Sequence, residues 1–274
     1  MPTILITGVS SGIGKACAER FARAGWTVIG TVRDLSRAAG EAWPGRVVLE
    51  ELDLDEPGAA AALGRRVLEA HGCPDVLLNN AGMLQFGAVE DTSPELIEQL
   101  FRVNVFEQVA LTKALVPAMR ERGSGVIANV TSLGGRLTFP FFASYNATKH
   151  ALEGYSEGLW HELKPFGIRV KAIEPGFVET AIWGKALPST AEDVDASPPY
   201  RDFQLAMLRF EASIAKRTPP DETAEEIWRA VNDGSDRLRY PVSAYARPLI
   251  AARRLFGELR VMRLLHGRWM GPNA

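Results

Sequence analysis

The fold of this chain is decided by its first residues, Thr3-Ile4-Leu5-Ile6-Thr7-Gly8-Val9-Ser10-Ser11-Gly12-Ile13-Gly14. The apolar run 3–7 predicts a strand, and a helical pattern begins near residue 12. Glycine permits backbone dihedrals closed to other residues, so N–H groups can approach a pyrophosphate, and a helix N-terminus adds partial positive charge. The order strand, glycine-rich turn, helix therefore predicts a nucleotide site rather than an empty turn. Its predicted contacts are Gly8, Ser10, Ser11, Gly12, Ile13 and Gly14.

Outward from this motif, short apolar runs alternate with longer amphipathic stretches. Further strands are predicted at 27–32, 47–52, 76–79, 125–132, 168–174 and 238–242, and helices at about 12–24, 57–71, 94–121 and 143–165. Most strand runs are near-continuous Val, Ile and Leu, as expected of strands covered on both faces. The alternation predicts an α/β fold, a parallel sheet with right-handed crossovers and helices on both sides. Since no repeat or linker interrupts it, we expect one domain over 1–274.

Two regions depart from this alternation. Residues 181–220 show no strand pattern and are rich in Pro, Ser, Ala and Asp, which predicts a long irregular insertion acting as a lid. Residues 243–274 interleave arginines with apolar residues and predict a C-terminal helical extension. We expect that extension to dock on the domain or on a second subunit, with a membrane-surface helix as the lesser alternative.

Composition narrows the classes of function. The 274 residues are 46% apolar with a formal charge of −2, so no basic field favours nucleic acid. No apolar run is long enough to cross a bilayer, and the N-terminus lacks a signal-peptide pattern. Cys17 and Cys73 are too few for a disulfide scaffold and are predicted to be buried. The four histidines show no metal-ligand spacing, so we expect no metal site. A cytoplasmic enzyme is the expectation from these features together.

The residues at the end of the second predicted strand indicate whether the bound nucleotide is NAD(H) or NADP(H). Val32 stands where an NAD enzyme usually places an acid for the ribose 2′-hydroxyl, and Arg33 follows it. A guanidinium suits a 2′-phosphate by charge and by its fork of donors, so NADP(H) is predicted over NAD(H). Asp34 leaves an alternative open, because it could pair with Arg33 or accept a hydroxyl itself; Arg33 could also be only a solvated surface residue.

Tyr145 and Lys149 form the candidate proton-transfer pair. They lie on one face of a predicted helix, because positions i and i+4 are neighbours. A cation about 4 Å from a phenol at an effective dielectric of 20 favours the phenolate by ~4 kcal/mol. That is roughly 3 pKa units, which predicts a phenol that exchanges protons near neutral pH.

Together these residues resemble the short-chain dehydrogenase/reductase (SDR) family, in its short single-domain, NADP-preferring form. The resemblance extends from residue 3 to about 180 and is specific for fold and cofactor class, not for substrate. It implies a Rossmann-type doubly wound parallel sheet of about seven strands. The matching segments are Thr7-Gly8-x3-Gly12-x-Gly14, Asp53-Leu54, Asn79-Asn80-Ala81-Gly82, Asn104, Ser132, Tyr145-x3-Lys149 and Pro175-Gly176.

The resemblance also implies roles for these residues. Tyr145 would donate the proton, Ser132 would hydrogen-bond the substrate oxygen, and Lys149 would hold the nicotinamide ribose. Asn104 would anchor a water that connects Lys149 to solvent. The cofactor contacts implied elsewhere are Asp53 and Leu54 at the adenine, Asn80, Ala81 and Gly82 at the adenine-side ribose, and Pro175, Gly176, Val178 and Thr180 at the carboxamide. Taken singly, Asn104 could be only a structural hydrogen-bonder and Ser132 only a strand-end residue.

The substrate is predicted from composition alone. The expected pocket walls are Ser132, Phe139, Phe142, Phe177 and Trp183, with Leu133, Leu137, Phe141, Met207 and Phe210 as further candidates. Such walls suit a hydrophobic ketone, aldehyde or secondary alcohol, although Arg136 nearby leaves an acidic substrate open. Steroid- and retinol-handling relatives are similar only at the level of fold. NADPH-dependent carbonyl reduction is the leading prediction. A sugar-nucleotide epimerase or dehydratase and a non-catalytic NADPH-binding regulator are the alternatives.

The oligomeric state is a further expectation. The predicted helices 94–121 and 143–165 carry apolar residues on more than one face. Family members pair through these helices. The resemblance therefore implies a homodimer or homotetramer.

Overall fold

A computed structural model describes residues 1–38, 40–187, 194, 196–214, 217–243 and 245–270. Its strands are β1 (Thr3–Ile6), β2 (Thr27–Val32), β3 (Val47–Glu51), β4 (Val76–Asn79), β5 (Gly125–Val130), β6 (Ile168–Pro175) and β7 (Arg239–Val242). They form one sheet in the order β3-β2-β1-β4-β5-β6-β7, and every neighbouring pair is parallel. The predicted doubly wound parallel sheet is confirmed. The strand order reverses between β1 and β4, which places a ligand crevice outside the carboxyl ends of these strands.

The strands are apolar on both sides because helices cover both faces of the sheet. Successive side chains of a strand point to opposite faces. Along β1, Ile4 and Ile6 therefore enter one buried cluster while Leu5 enters the other. The first cluster also receives Phe21 and the second Leu111, which come from helices on opposite faces. This two-sided burial explains the continuous Val, Ile and Leu runs of the sequence.

The helices extend the pattern that the sequence predicted. Within the described residues they are α1 (Gly12–Arg23), α2 (Leu35–Ala38), α3 (Ala59–His71), α4 (Pro94–Phe101), α5 (Glu107–Arg122), α6 (Ala143–Leu163), α7 (Ala181–Ala186), α8 (Pro198–Ala212), α9 (Pro220–Asn232), α10 (Ala246–Phe256) and α11 (Glu258–Met270). The sequence pattern did not predict α2 and α9, and it predicted α4 and α5 as one continuous helix. A wider turn of π-helix, Arg102–Phe106, joins these two helices and contains Asn104. Such π segments are frequent at functional sites.

The segment 181–220 is more regular than predicted. Instead of an irregular insertion it contains α7 and α8, and α8 begins with the two prolines Pro198 and Pro199 in its first turn. Proline fits there because the first helical N–H groups need no intrahelical acceptor. Residues 188–193, 195, 215 and 216 of the predicted lid lie outside the described residues.

The C-terminal extension consists of two helices. Gly257, with φ of 82°, separates α10 from α11. Val261 and Leu265 of α11 are buried in a third apolar cluster beyond the carboxyl edge of the sheet. The extension therefore docks on the body of the chain; its residues 244 and 271–274 lie outside the described residues.

Cys17 is fully buried, whereas Cys73 is partly exposed.

Candidate active site

A cleft of 530 Å³ opens at the carboxyl edge of the sheet, at the crevice expected from the strand order. It brings together segments that follow β1, β2, β3, β4, β5 and β6. Every predicted site residue lines it except Gly14 and Asn104. Gly14 instead packs against Gly8 and Asn80, and Asn104 hydrogen-bonds Met83, and these neighbours do line the cleft.

The glycine-rich turn owes its shape to three glycines. Gly8 and Gly12 have φ of 74° and 57°, in the left-handed region that side chains disfavour. A Cβ at Gly14 would lie 2.0 Å from the carbonyl oxygen of Gly8, so this position admits glycine alone without a backbone shift. Ser11 precedes α1 without its side chain capping the helix. Ser11, Gly12 and Ile13 line the cleft, so the start of α1 offers it N–H donors suited to an anion.

Buried hydroxyl and amide groups hold this turn against β4. The Thr7 Oγ1 accepts hydrogen bonds from the backbone N–H groups of Asn80 and Ala81, both at 2.9 Å. The Asn80 Nδ2 donates to the carbonyl oxygens of Thr7 and Gly8. Thr31 Oγ1 accepts from the N–H of Gly8 at 3.0 Å. Sequence reasoning missed the roles of Thr7 and Thr31, because a single threonine in a strand carries no distinguishing pattern.

At the outer end of the cleft, the residues after β2 and β3 are charged. Arg33 is exposed and lines the cleft, and no carboxylate of the described residues lies within ion-pair distance of it. Asp34 is not a lining residue; its Oδ1 accepts hydrogen bonds from the N–H and hydroxyl of Ser36. Asp53 also lines the cleft. Arg33 rather than Asp34 therefore lines the cleft, and the Asp34 carboxylate is hydrogen-bonded within its own turn.

Ser132, Tyr145 and Lys149 all line the cleft. The Ser132 hydroxyl hydrogen-bonds the Tyr145 side chain and accepts from the N–H of Gly134 at 2.9 Å. The Lys149 Nζ donates to the carbonyl oxygen of Val130 at 3.0 Å and lies 5.8 Å from the centroid of the Tyr145 ring. A hydroxyl, a phenol and an ammonium group thus lie close together in the cleft.

The acidity of the phenol differs from the sequence-based prediction. Burial raises the pKa of Tyr145, and the hydrogen bond from Ser132 only partly opposes this. Burial also lowers the pKa of Lys149 to about 8, while the carboxylate of Glu153 opposes that shift. The expected lowering of the phenol pKa was wrong, because burial disfavours the charged phenolate more than the hydrogen bond with Ser132 favours it.

Asn104 is fully buried on the π segment and acts through its neighbours. Its Oδ1 accepts from the N–H of Met83 at 2.8 Å, and its Nδ2 donates to the carbonyl of Met83 and to Thr148 Oγ1. A Cβ added at Gly82 would lie 3.1 Å from Asn104 Oδ1 and 3.8 Å from Lys149 Nζ. Asn104 therefore fixes the 82–83 backbone beside Lys149.

The wall opposite the glycine-rich turn is apolar. All five predicted substrate-lining residues reach the cleft, together with Leu133 and Met207. Leu137 and Phe141 do not, and instead line a separate groove beside α11. Phe210 packs against the third cluster without lining the cleft. Lining residues that sequence reasoning missed include Met83, Leu84, Val103 and Ile182, whose positions depend on how distant segments pack.

The charge of Arg136 is directed away from the cleft. Its Nη1 donates to the Oε1 of Glu174 at 2.6 Å, and Arg136 is not a lining residue. Burial raises the pKa of Glu174 to about 7, with the carboxylate of Glu153 adding to the shift. The alternative of an acidic substrate held by Arg136 therefore loses its support.

The fold and this site together define a nucleotide-dependent oxidoreductase, and comparison with known proteins gives the family. A family model described as short chain dehydrogenase matches residues 2–190, so the chain belongs to that family. The uncharacterized oxidoreductase YusZ of Bacillus subtilis is 33% identical over 261 residues, 92% of each chain. The 17-beta-hydroxysteroid dehydrogenase type 1 of Homo sapiens is 34% identical over 265 residues, 91% of this chain and 80% of the relative.

Solved structures agree with this assignment. A short-chain dehydrogenase from Streptomyces avermitilis superposes with a TM-score of 0.81 at 36% identity, over 98% of this chain and 96% of the other. A short-chain dehydrogenase from Sphingobium yanoikuyae in complex with NADPH has a TM-score of 0.73 at 30% identity, over 93% and 94%. Among the described residues, no cluster of three potential metal ligands occurs, and no helix has the length and apolarity to span a bilayer.

Proposed function

We propose that this protein catalyses the reversible, NADP(H)-dependent reduction of an apolar ketone or aldehyde to an alcohol. The observation that carries the proposal is that Ser132, Tyr145 and Lys149 line one cleft together with the glycine-rich turn and a group of apolar side chains. A non-catalytic NADPH sensor would not need this set of proton-transfer groups.

The residues present fit a dinucleotide. Gly8, Gly12 and Gly14 let the turn pack closely against Ala81, Thr180 and Asn80, and Gly8 and Gly12 line the cleft where α1 begins. The first N–H groups of a helix suit a pyrophosphate. Bound there, a nicotinamide supplies or accepts a hydride. We propose that Arg33 holds the 2′-phosphate, Asp53 and Leu54 flank the adenine, and Lys149 holds the nicotinamide ribose. Pro175, Gly176, Val178 and Thr180 would face the carboxamide.

Three side chains of the protein carry out the proton transfer to the substrate oxygen. Tyr145, whose pKa is raised by burial, is protonated at neutral pH and can donate its proton to the oxygen of a carbonyl. Ser132 positions that oxygen by a hydrogen bond. The charge left on the phenolate is stabilised by the Lys149 ammonium group. We propose that Asn104, by fixing the 82–83 backbone, keeps open a water-filled path from Lys149 to solvent.

The substrate class follows from the apolar wall. Phe139, Phe142, Phe177 and Trp183 line the cleft, and the Phe177 and Trp183 rings stack at 5.8 Å between centroids. Such a wall favours a bulky hydrophobic molecule with one polar atom at Ser132 and Tyr145. The human relative named for hydroxysteroid oxidation supports a rigid polycyclic ketone or alcohol.

We propose that 181–220 forms a lid; the homo-oligomeric state and the cytoplasmic location stay predictions.

The test of the function is NADPH consumption against a panel of aliphatic, aromatic and steroidal ketones and aldehydes. We expect turnover with the bulky apolar members and little with sugars or keto acids. The reverse assay with NADP⁺ and the corresponding alcohols should show the same ranking. Binding of NADPH without turnover of any panel member would instead favour the regulator.

Replacing Arg33 by Ala should remove the preference for NADPH. A hydrogen bond to a charged group contributes about 1.5–3 kcal/mol, so the ratio of kcat/KM with NADPH to that with NADH should fall about tenfold to a hundredfold. The measurement is steady-state kinetics with both cofactors. Arg65→Ala, an exposed arginine outside the cleft, is the matched control. An unchanged ratio in Arg33→Ala would show that another group binds the 2′-phosphate.

The rate of reduction should fall above about pH 8. The pKa of Lys149 is lowered to about 8, so at higher pH the ammonium group that stabilises the phenolate is lost. Glu153 raises this pKa, so Glu153→Gln should move the alkaline limb of kcat/KM to lower pH. Glu157→Gln is the control, because Glu157 also pairs with Arg239 but is not among the causes of the Lys149 shift. A limb that stays in place in Glu153→Gln would contradict the assignment to Lys149.

A further inference from the structure

We propose that the corner between α10 and α11 docks this protein on the surface of a membrane that contains anionic lipids. Residues 254–260 at this corner are all exposed. Three of them are large and apolar: Leu255 is 76% exposed, Phe256 61% and Leu259 58%. Single exposed apolar residues are ordinary, but three within five positions form a patch that needs an explanation.

The two helices that form the corner are positively charged. Residues 246–270 contain one acid, Glu258, and six arginines, at 247, 253, 254, 260, 263 and 268, although the whole chain carries −2. Arg247 pairs with Glu226 and Arg253 with Glu258. Within the part of the chain that the structure describes, the other four arginines have no acidic partner. The corner thus combines exposed apolar side chains with unpaired guanidinium groups.

This combination matches an anionic bilayer better than a second copy of the chain. Arginine near such a surface is attracted by the anionic headgroups, and leucine and phenylalanine insert at the boundary of headgroups and acyl chains. Two copies meeting through this corner would place Arg254 and Arg260 against the same charges of the partner. Like charges brought together across an interface are destabilising.

The corner is held in place by the body of the protein. Val261 and Leu265, one turn apart on α11, are 4% and 8% exposed and belong to the apolar cluster that also contains Leu133 and Phe142 of the cleft. The Arg253 Nη1 donates to the carbonyl oxygen of Arg136. Docking through the corner would therefore bring the apolar half of the cleft close to the lipid phase, where apolar compounds concentrate.

The test is co-sedimentation of the full chain with vesicles of phosphatidylcholine alone or of phosphatidylcholine with phosphatidylglycerol. We expect binding to the anionic vesicles, weakened by high salt, and little binding to the neutral ones. Two variants separate the contributions: Arg254→Glu with Arg260→Glu, and Leu255→Ser with Phe256→Ser and Leu259→Ser. Each should weaken binding about tenfold or more.

Matched controls are Arg65→Glu, an exposed arginine on α3, and Phe166→Ser, a 44% exposed aromatic residue outside the corner. Thermal melts establish that all variants are folded. Absence of binding to anionic vesicles, or equal loss in the controls, would overturn the proposal. So would light scattering in which the corner variants turn an oligomer into monomers without vesicle binding, because the corner would then be a subunit interface.

Discussion

Tyr145→Phe should abolish most of the reductase activity while leaving NADPH binding intact. The substitution removes only the phenolic oxygen, which we propose as the proton donor, and keeps the ring that packs 6.4 Å from Phe142 between centroids. General acid catalysis contributes about 10²–10⁴-fold, so kcat should fall by that factor. The measurement combines steady-state reduction of the best panel substrate with titration of NADPH fluorescence.

Tyr155→Phe is the matched control for this variant. Tyr155 lies on the same helix, its hydroxyl hydrogen-bonds Thr112, and burial raises its pKa to about 12. It does not line the cleft, so its loss should leave kcat nearly unchanged. Comparable losses of kcat in both variants would show that Tyr145 supports the stability of the protein rather than proton transfer. Near-normal turnover in Tyr145→Phe would refute the proposed proton donor.

Gly14→Ala should disrupt the glycine-rich turn and with it the binding of NADPH. The new Cβ would lie 2.0 Å from the Gly8 carbonyl oxygen and 2.5 Å from the Asn80 Nδ2, so the backbone must move. Overpacking of this kind costs about 1–3 kcal/mol. Because the displaced groups form the proposed pyrophosphate site, we expect both a lower melting temperature and a rise in the NADPH Kd of about tenfold or more.

Gly158→Ala provides the comparison. Gly158 is also helical, but a Cβ there has no atom within 4 Å. Alanine in an exposed helix position is favoured over glycine by about 0.5–1 kcal/mol, so this variant should melt at the same temperature or higher. Normal NADPH affinity in Gly14→Ala, measured by calorimetry, would mean that the turn does not hold the pyrophosphate.

Much of the site could be predicted because its signals are local. The turn 8–14 is a short segment in which three glycines and a following helix specify one geometry. Tyr145 and Lys149 share a helix face through the i, i+4 spacing. Asn104 was identified by its place in the series, but its position on a π segment was not foreseen, since a single wider turn leaves no trace in apolar periodicity.

The sequence by itself determined the parallel sheet, the glycine-rich turn and the residues that we propose for proton transfer, because periodicity and short spacings encode them. Only the tertiary structure decided which aromatic residues reach the cleft, that Arg136 pairs with Glu174, and that the pKa of Tyr145 is raised rather than lowered. It also decided which arginines of the C-terminal helices remain unpaired. These properties depend on burial, and burial at one residue is set by side chains that arrive from distant parts of the chain.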